Sequence, residues 1–249
     1  MTQPLSREGQ PVPQVRFRYR ADGDWKETST DQLFKGRTVA VFSLPGAFTP
    51  TCSGTHLPRF NELAPAFREN GVDEIVCVAV NDPFVMEEWA RSQECNNVFL
   101  LPDGNGTFTS QMGMLVDKSD LNFGQRSWRY SMLVRDGVVE KMFIEPDEPG
   151  DPFEVSDADT LLHYVNKDAR QPDQVALLTR EGCAFCAEAK KALHDAGITF
   201  AEVDLPHATR TRALGAIAGA RTVPQLFVNG TLIGGGEALQ DWVRRQTPR

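Results

Sequence analysis

Residues Thr38 to Phe67 read TVAVFSLPGAFTPTCSGTHLPRFNELAPAF. The stretch opens on a continuous apolar run, Thr38 to Leu44, of buried-strand type. It closes on Leu57, Phe60, Leu63 and Phe67, spaced by three and four residues, which makes one apolar helix face. Between them Pro45 and Pro50 stiffen a loop and remove N–H donors. Cys52 stands where the chain leaves the strand and enters the helix, and the free N–H groups and dipole of a helix start stabilise a thiolate there. Thr49, three residues upstream, brings a hydroxyl within reach of the same sulfur. The plain alternative for a lone cysteine is a small apolar residue capping a helix.

Outward from this stretch the pattern repeats. Ile75 to Val80 is a β-branched strand, Pro83 opens a helix through Trp89, and Val98 to Leu101 is a strand. Tyr130 to Val134 and Val138 to Ile144 form a hairpin on the Asp136-Gly137 turn. Buried strands alternating with helices imply an α/β layered sheet. An amphipathic stretch with Leu161, Leu162 and Val165 then gives way to the polar segment NKDARQPDQ, which contains Pro172. The expected division is a domain over 1–168, a linker over 169–174 and a domain over 175–249.

The second part has the same theme at smaller scale. Val175 to Thr179 is a strand, Cys183 to Ala196 a helix, and Thr199 to Asp204 a strand. A helical stretch lies around Ala213 to Ala218, followed by a hairpin turning on Asn229-Gly230 and a last helix from about Glu237 to Arg245. The order βαβαββα is that of a minimal thioredoxin-like domain. The fold expected is therefore α/β, with two thioredoxin-like domains, each a mixed sheet flanked by helices.

Composition narrows the function. The chain has 249 residues, 41% hydrophobic and 24% charged, enough for full cores. No apolar run approaches the roughly 18 residues of a membrane helix, and the N-terminus MTQPLSREGQ has no apolar signal region. The net charge of −8 argues against a nucleic-acid binder. Residues 171–249 hold 9 Lys/Arg against 8 Asp/Glu, so the acidity lies in the first part. Five cysteines at irregular spacing are not a secreted disulfide framework, and a reducing cytoplasm is the expected compartment. The Asn-Gly-Thr sequences at Asn105 and Asn229 read as tight turns.

The string PGAFTPTCSGTHLP strongly resembles the active-site loop of peroxiredoxins, in particular the peroxiredoxin V-like subgroup. The resemblance extends over roughly residues 5 to 165 and includes Val80-Asn81-Asp82, Glu88-Trp89 and Arg129-Tyr130-Ser131-Met132. It implies that peroxide lies between Cys52, the Thr49 hydroxyl and Arg129. A thiolate attacks one peroxide oxygen, and a guanidinium and hydroxyl donors stabilise the departing one. Only the resemblance joins Arg129 to Cys52, and Arg126 is the rival or a supporting residue. Pro45 and His56 are expected to support the site, His56 either by donating to it or by packing. Members of this subgroup with a resolving cysteine carry it near the domain end. Here the segment Glu145 to Pro152 and everything through Lys167 lack one. Cys77 reads as core and Cys95 is not expected to resolve, so a sulfenic acid on Cys52 needs an external thiol.

Cys183-Ala184-Phe185-Cys186 at a helix start is a redox arrangement, and zinc lacks the further ligands it needs. With Thr222-Val223-Pro224 and Gly234-Gly235-Gly236-Glu237 it resembles glutaredoxin over residues 173 to 247. The usual Pro and Tyr between the cysteines are replaced by Ala184 and Phe185. The resemblance implies a cis Pro224, with Thr222 and Val223 beside the cysteinyl part of glutathione. It puts N–H groups at Gly236 and Glu237 on the γ-glutamyl carboxylate, with Gly235 also in the glutathione site. Arg180 and Arg221 would attract the glycine carboxylate, with Phe185 at the site.

Together the parts resemble bacterial peroxiredoxin–glutaredoxin hybrids. The function implied is a glutathione-dependent thiol peroxidase acting on hydrogen peroxide and alkyl hydroperoxides, re-reduced through Cys183 with Cys186 beside it. Glutathione is the reducing co-substrate and stands behind glutathione reductase and NADPH, with no bound cofactor and no metal. No nucleic-acid or membrane partner is expected, and a homo-oligomer, dimer or tetramer, is. Two other readings are two independent activities, peroxidase and protein deglutathionylation, and a redox-regulated binding or holdase protein. Catalytic turnover separates the last from the enzyme.

Overall fold

The computed structural model describes residues 4–148 and 151–246. Pro149 and Gly150 of the acidic segment, with the first and last three residues of the chain, lie outside the described residues. The chain divides into two compact units, Met1–Gln171 and Pro172–Arg249. Gln171 accepts from Arg59 at 3.0 Å in the first unit. The Gln174 N–H donates to Asn229 Oδ1 at 2.8 Å in the second.

In chain order the first unit contains β1 (Arg16–Ala21), β2 (Asp24–Ser29), α1 (Thr30–Phe34), β3 (Thr38–Ser43), α2 (Leu57–Glu69), β4 (Glu74–Ala79), α3 (Pro83–Ser92), β5 (Phe99–Pro102), α4 (Thr107–Gln111), β6 (Leu115–Asp117), β7 (Gln125–Ser127), β8 (Tyr130–Arg135), β9 (Val138–Ile144) and α5 (Ala158–Val165). The main sheet runs β5-β4-β3-β8-β9, with β3, β4 and β5 parallel and β8 and β9 antiparallel. Period-two alternation divides its side chains. Ala40 and Phe42 face a core with Leu57, Phe60, Leu63, Phe67 and Trp89. Val39 and Val41 face another with Phe34, Phe108 and Met112. The sheet is therefore buried on both faces, which is why its strands read as unbroken apolar runs.

The antiparallel pairing of β3 with β8 sets Ser43 opposite Tyr130. The loop leaving β3 and the residue entering β8 thus meet at one sheet end. The β1–β2 hairpin and the β6–β7 pair do not stand out in the sequence. β1 and β2 interleave charged and apolar residues and only one of their residues is fully buried, so no apolar run marks them.

The second unit contains β10 (Val175–Thr179), α6 (Ala184–Asp195), β11 (Ala201–Asp204), α7 (Arg210–Ala218), β12 (Gln225–Val228), β13 (Thr231–Gly234) and α8 (Gly236–Gln246). The sheet order is β11-β10-β12-β13, with β10 and β11 parallel and the rest antiparallel. Leu177, Leu226, Leu193 and Trp242 build its main core. β11 starts at Ala201, two residues later than its sequence suggests, because it is an exposed edge strand. No helix among the described residues is long and apolar enough to cross a membrane.

Candidate active site

Cys52 is wholly buried. A helical turn begins at Pro50 and widens over Cys52–His56, where the Leu57 N–H reaches the Cys52 carbonyl. Wide turns of this kind occur frequently at functional sites. The loop before it is held from several sides. Its backbone passes through φ +62° at Phe48, a left-handed conformation costly for a bulky residue. The Ala47 N–H donates to Asn81 Oδ1 at 3.0 Å, and the Trp89 indole N–H donates to the Ser53 hydroxyl at 3.0 Å. Arg126 donates to the Val80 carbonyl at 2.9 Å. Its side chain stands 3.6 Å from where a Cβ on Gly46 would project. Arg126 thus braces the loop that carries the thiol.

Arg129 is the guanidinium at the sulfur. Its Nη1 lies 3.7 Å from Cys52 Sγ and 3.1 Å from His56 Nδ1. Its Nη2 is ion-paired with Asp151, and its Cζ stands 5.4 Å from the Phe153 ring centroid. Burial opposes the Arg129 charge, but Asp151 and Cys52 outweigh it, and its pKa is raised. A guanidinium only donates, so His56 Nδ1 accepts and Nε2 carries the proton, donating to the Ser156 carbonyl at 3.1 Å. Burial and the Arg129 charge push His56 down to about 3, so it is a neutral imidazole near pH 7. It sits among Phe42, Phe60 and Phe153. His56 therefore positions Arg129 and packs at once.

The Thr49 hydroxyl donates its single proton to the Gly46 carbonyl at 2.9 Å. Towards a bound molecule it can accept but not donate. This differs from the donor expected on sequence, because the tight loop offers Gly46 as the nearer acceptor.

The acidic segment has a structural part that its sequence does not announce. The Glu145 carboxylate, 1% exposed, accepts N–H bonds from Glu154, Val155 and Ser156 at 2.9, 3.0 and 2.8 Å. These bonds bring residues 154–156 back to Glu145, and Asp151 and Phe153 stand against Arg129. Cys77 and Cys95 stand outside the site: burial pushes the Cys77 thiol far up and the Cys95 thiol to about 11.

In the second unit Cys183 caps α6, its Sγ accepting the Cys186 N–H at 3.2 Å. Burial pushes Cys183 up, but the Cys186 thiol and N–H and the Arg180 charge outweigh it, and its pKa is lowered. Burial and donation to Cys183 push Cys186 up to about 11. The two sulfurs are electronically unequal. A cavity of about 930 Å³ adjoins Cys183 and Phe185, the latter 71% exposed. Thr222, Val223 and the cis Pro224 line it. Gly235 and Gly236 line it too. A Cβ on Gly235 would come within 2.2 Å of the Pro224 carbonyl oxygen, so only glycine fits. Gly236 opens α8 at φ +50°. Glu237 follows in the first turn of α8 and is not part of the cavity lining. Arg180 and Arg221 flank the cavity with a third guanidinium, Arg210, which donates to the Leu205 carbonyl at 3.1 Å. Three cations and a helix start favour an anionic guest. Among the described residues no three His, Cys, Asp or Glu side chains form a group that could hold a metal ion.

Two family models match the chain. The Redoxin family model matches residues 7–162 and the Glutaredoxin model residues 175–233. The chain is 55% identical over 237 residues to hybrid peroxiredoxin hyPrx5 of Haemophilus influenzae, covering 95% of this chain and 98% of that protein. It is 53% identical over 174 residues to peroxiredoxin sll1621 of Synechocystis, covering 65% of this chain and 92% of that protein. Among solved structures it is similar to reduced Prx3 of Vibrio vulnificus in complex with H2O2. That match has a TM-score of 0.61 and 36% identity, and covers 65% of this chain and 99% of that one.

Proposed function

The chain belongs to the peroxiredoxin family, fused to a glutaredoxin domain, and is a thiol peroxidase with glutathione-linked reduction; from that premise we propose that Cys52 is the peroxide-reducing thiol and Cys183 the thiol that returns it to the reduced state. The substrates proposed are hydrogen peroxide and alkyl hydroperoxides. The observation that carries the assignment is the buried Arg129 guanidinium 3.7 Å from the buried Cys52 sulfur.

The Cys52 thiolate attacks the outer oxygen of ROOH. The O–O bond breaks, sulfur keeps one oxygen as sulfenic acid, and RO⁻ leaves and takes a proton to become ROH. Thr49 accepts the peroxide O–H and so orients it. Arg129 donates to the leaving oxygen as its charge develops. Glutathione condenses with the sulfenic acid, releasing water and forming a mixed disulfide on Cys52. The Cys183 thiolate takes the glutathionyl group and frees Cys52. A second glutathione attacks that adduct, releasing oxidised glutathione and the Cys183 thiolate. Cys186, with its raised pKa, is a proton donor to Cys183 and not an obligatory resolving thiol.

Every step is a two-electron displacement by a thiol or thiolate at an oxygen or sulfur atom, so the chemistry calls for no metal, haem or flavin. Arg180, Arg210 and Arg221 hold the carboxylates of glutathione. The reading places the enzyme in a bacterial cytoplasm as a homo-oligomer, with glutathione reductase and NADPH regenerating its reductant. The test is NADPH consumption with peroxide, glutathione and glutathione reductase, without added glutaredoxin. Turnover in the wild-type protein and none in Cys52→Ser is the expected result. Normal turnover in Cys52→Ser overturns the assignment.

A further inference from the structure

A cavity of about 620 Å³ opens beside Arg129 in the first unit. Its apolar lining comes from Val116, Leu121 and Trp128, the first and last nearly buried and Leu121 53% exposed. Pro45 and Pro152 complete that lining at the end where the cavity meets the thiol loop and the folded-back acidic segment. Asp120, Asp147, Glu148 and Asp151 also line it, against Lys118 and the ion-paired Arg129. The Nε of Arg129 is buried and has no hydrogen-bond partner among the described residues.

We propose that this cavity is the binding site for the organic tail of a hydroperoxide, and that its acidic lining selects uncharged tails over tails ending in a carboxylate. The proposal rests on the reading of Cys52 as the peroxidatic thiol. In that reading the thiolate displaces RO⁻ in line, so the leaving oxygen lies on the far side of the attacked oxygen from sulfur. That oxygen belongs beside Arg129, and the carbon chain attached to it continues away from Cys52. Arg129 is both the group at the sulfur and part of the cavity lining, and Pro45 of the thiol loop lines it too, so the cavity adjoins the side of Arg129 toward which the tail points. The volume exceeds what hydrogen peroxide needs, and the apolar residues offer a tail of several carbons a dry surface, at about 25 cal/mol per Å² buried.

Charge decides among tails. A like-charge pair at contact distance disfavours binding about fivefold even in a water-like dielectric. With Asp151 paired to Arg129, the carboxylates of Asp120, Asp147 and Glu148 remain in this lining against Lys118. The Glu145 carboxylate adds nothing free, since it is taken by three N–H groups.

The experiment compares kcat/KM for hydrogen peroxide, for a short-chain alkyl hydroperoxide ending in a carboxylate, and for the methyl ester of the same compound. The ester should exceed the acid by about tenfold or more at low salt, and the ratio should shrink in 0.5 M salt because exposed charges are screened beyond roughly 10 Å at about 0.1 M ionic strength and more strongly above it. The double variant Asp120→Asn/Asp147→Asn should bring ester and acid much closer together while leaving hydrogen peroxide turnover unchanged. Leu121→Asp should lower the ester rate with hydrogen peroxide again unchanged. Equal rates for ester and acid in the wild type overturn the proposal, as does a ratio that the double variant leaves intact. A parallel fall for all three peroxides also overturns it, because the residues would then serve the thiol and not the tail. Failure of the wild type to reduce hydrogen peroxide contradicts the prior reading of Cys52 instead.

Discussion

The two thiols of this chain sit at similar places in related folds, each at a helix start after a strand, yet their surroundings differ. Cys52 is sealed from water and faces a guanidinium that His56, Asp151 and Phe153 hold in place. Cys183 lies at the edge of an open cavity and takes its stabilisation from an N–H, a neighbouring thiol and the Arg180 charge. On the proposed function, the difference matches what each attacks. A peroxide is small and its leaving oxygen develops charge, so a fixed donor in a water-poor site is most effective. A glutathionyl group is large and arrives with its own carboxylates, so access and surrounding cations matter more.

The largest expected effect breaks the comparison outright. Cys52→Ser should abolish peroxide reduction while leaving the second unit able to reduce a small glutathione mixed disulfide, whereas Cys183→Ser should lose that disulfide reduction and the glutathione-dependent turnover but still consume about one equivalent of peroxide at Cys52. Loss of mixed-disulfide reduction in Cys52→Ser, or of the single peroxide-consuming event in Cys183→Ser, would mean that the thiols do not act separately. Next, Arg129→Ala should lower kcat/KM for peroxide by about 10²-fold or more, as loss of an oxyanion donor typically does. Arg126→Ala, which only loosens the loop behind Gly46, should do less. Steady-state rates in the reverse order would show that the wrong arginine has been placed at the peroxide.

The third effect sharpens the role of His56. The unfolded chain takes up a proton near pH 6.5 that the folded chain refuses until about 3. The first unit therefore loses stability as pH falls from about 6.5 to about 3, and this group contributes little loss above that window. Between pH 7.5 and 5 the loss is about 2 kcal/mol. Urea unfolding of His56→Gln should show a fall with pH that is shallower by that amount, whatever its absolute stability. Parallel pH dependences in the two proteins would mean that His56 titrates normally. The smallest effect concerns Cys186. Since its thiol is pushed up to about 11 while Cys183 is lowered, alkylation should label Cys183 first as pH rises. Cys186→Ser should keep a substantial part of the glutathione-dependent turnover. If it is as inactive as Cys183→Ser, a Cys183–Cys186 disulfide is obligatory.

Much of this was legible in the residues, for reasons that differ by region. β3, β4 and β8 are buried on both faces, so they appear as apolar runs. Cys52 and Cys183 stand in local motifs, where strand, turn and helix start are contiguous. Arg129 belongs to the site through the register of β3 on β8, a pairing between distant segments that no local pattern encodes. The same holds for the folded-back acidic segment. Glu145 acts through three backbone N–H groups roughly ten residues on, and Asp151 and Phe153 reach Arg129 from the segment between. Arg210 was missed because a single arginine opening a polar helix looks like solvated surface. The widened turn at Cys52–His56 has no composition of its own, and the Thr49 proton goes to Gly46 because of loop geometry that the sequence shows only as a Gly near two prolines.

The central claim is that the glutathionyl group formed on Cys52 leaves through Cys183. The direct measurement is mass spectrometry of the Cys183→Ser protein, mixed with peroxide and glutathione and stopped by acid. One glutathione disulfide-linked to Cys52, accumulating while NADPH consumption stays near background, is the result this mechanism predicts. An unmodified Cys52 with NADPH consumption continuing at the wild-type rate would contradict it.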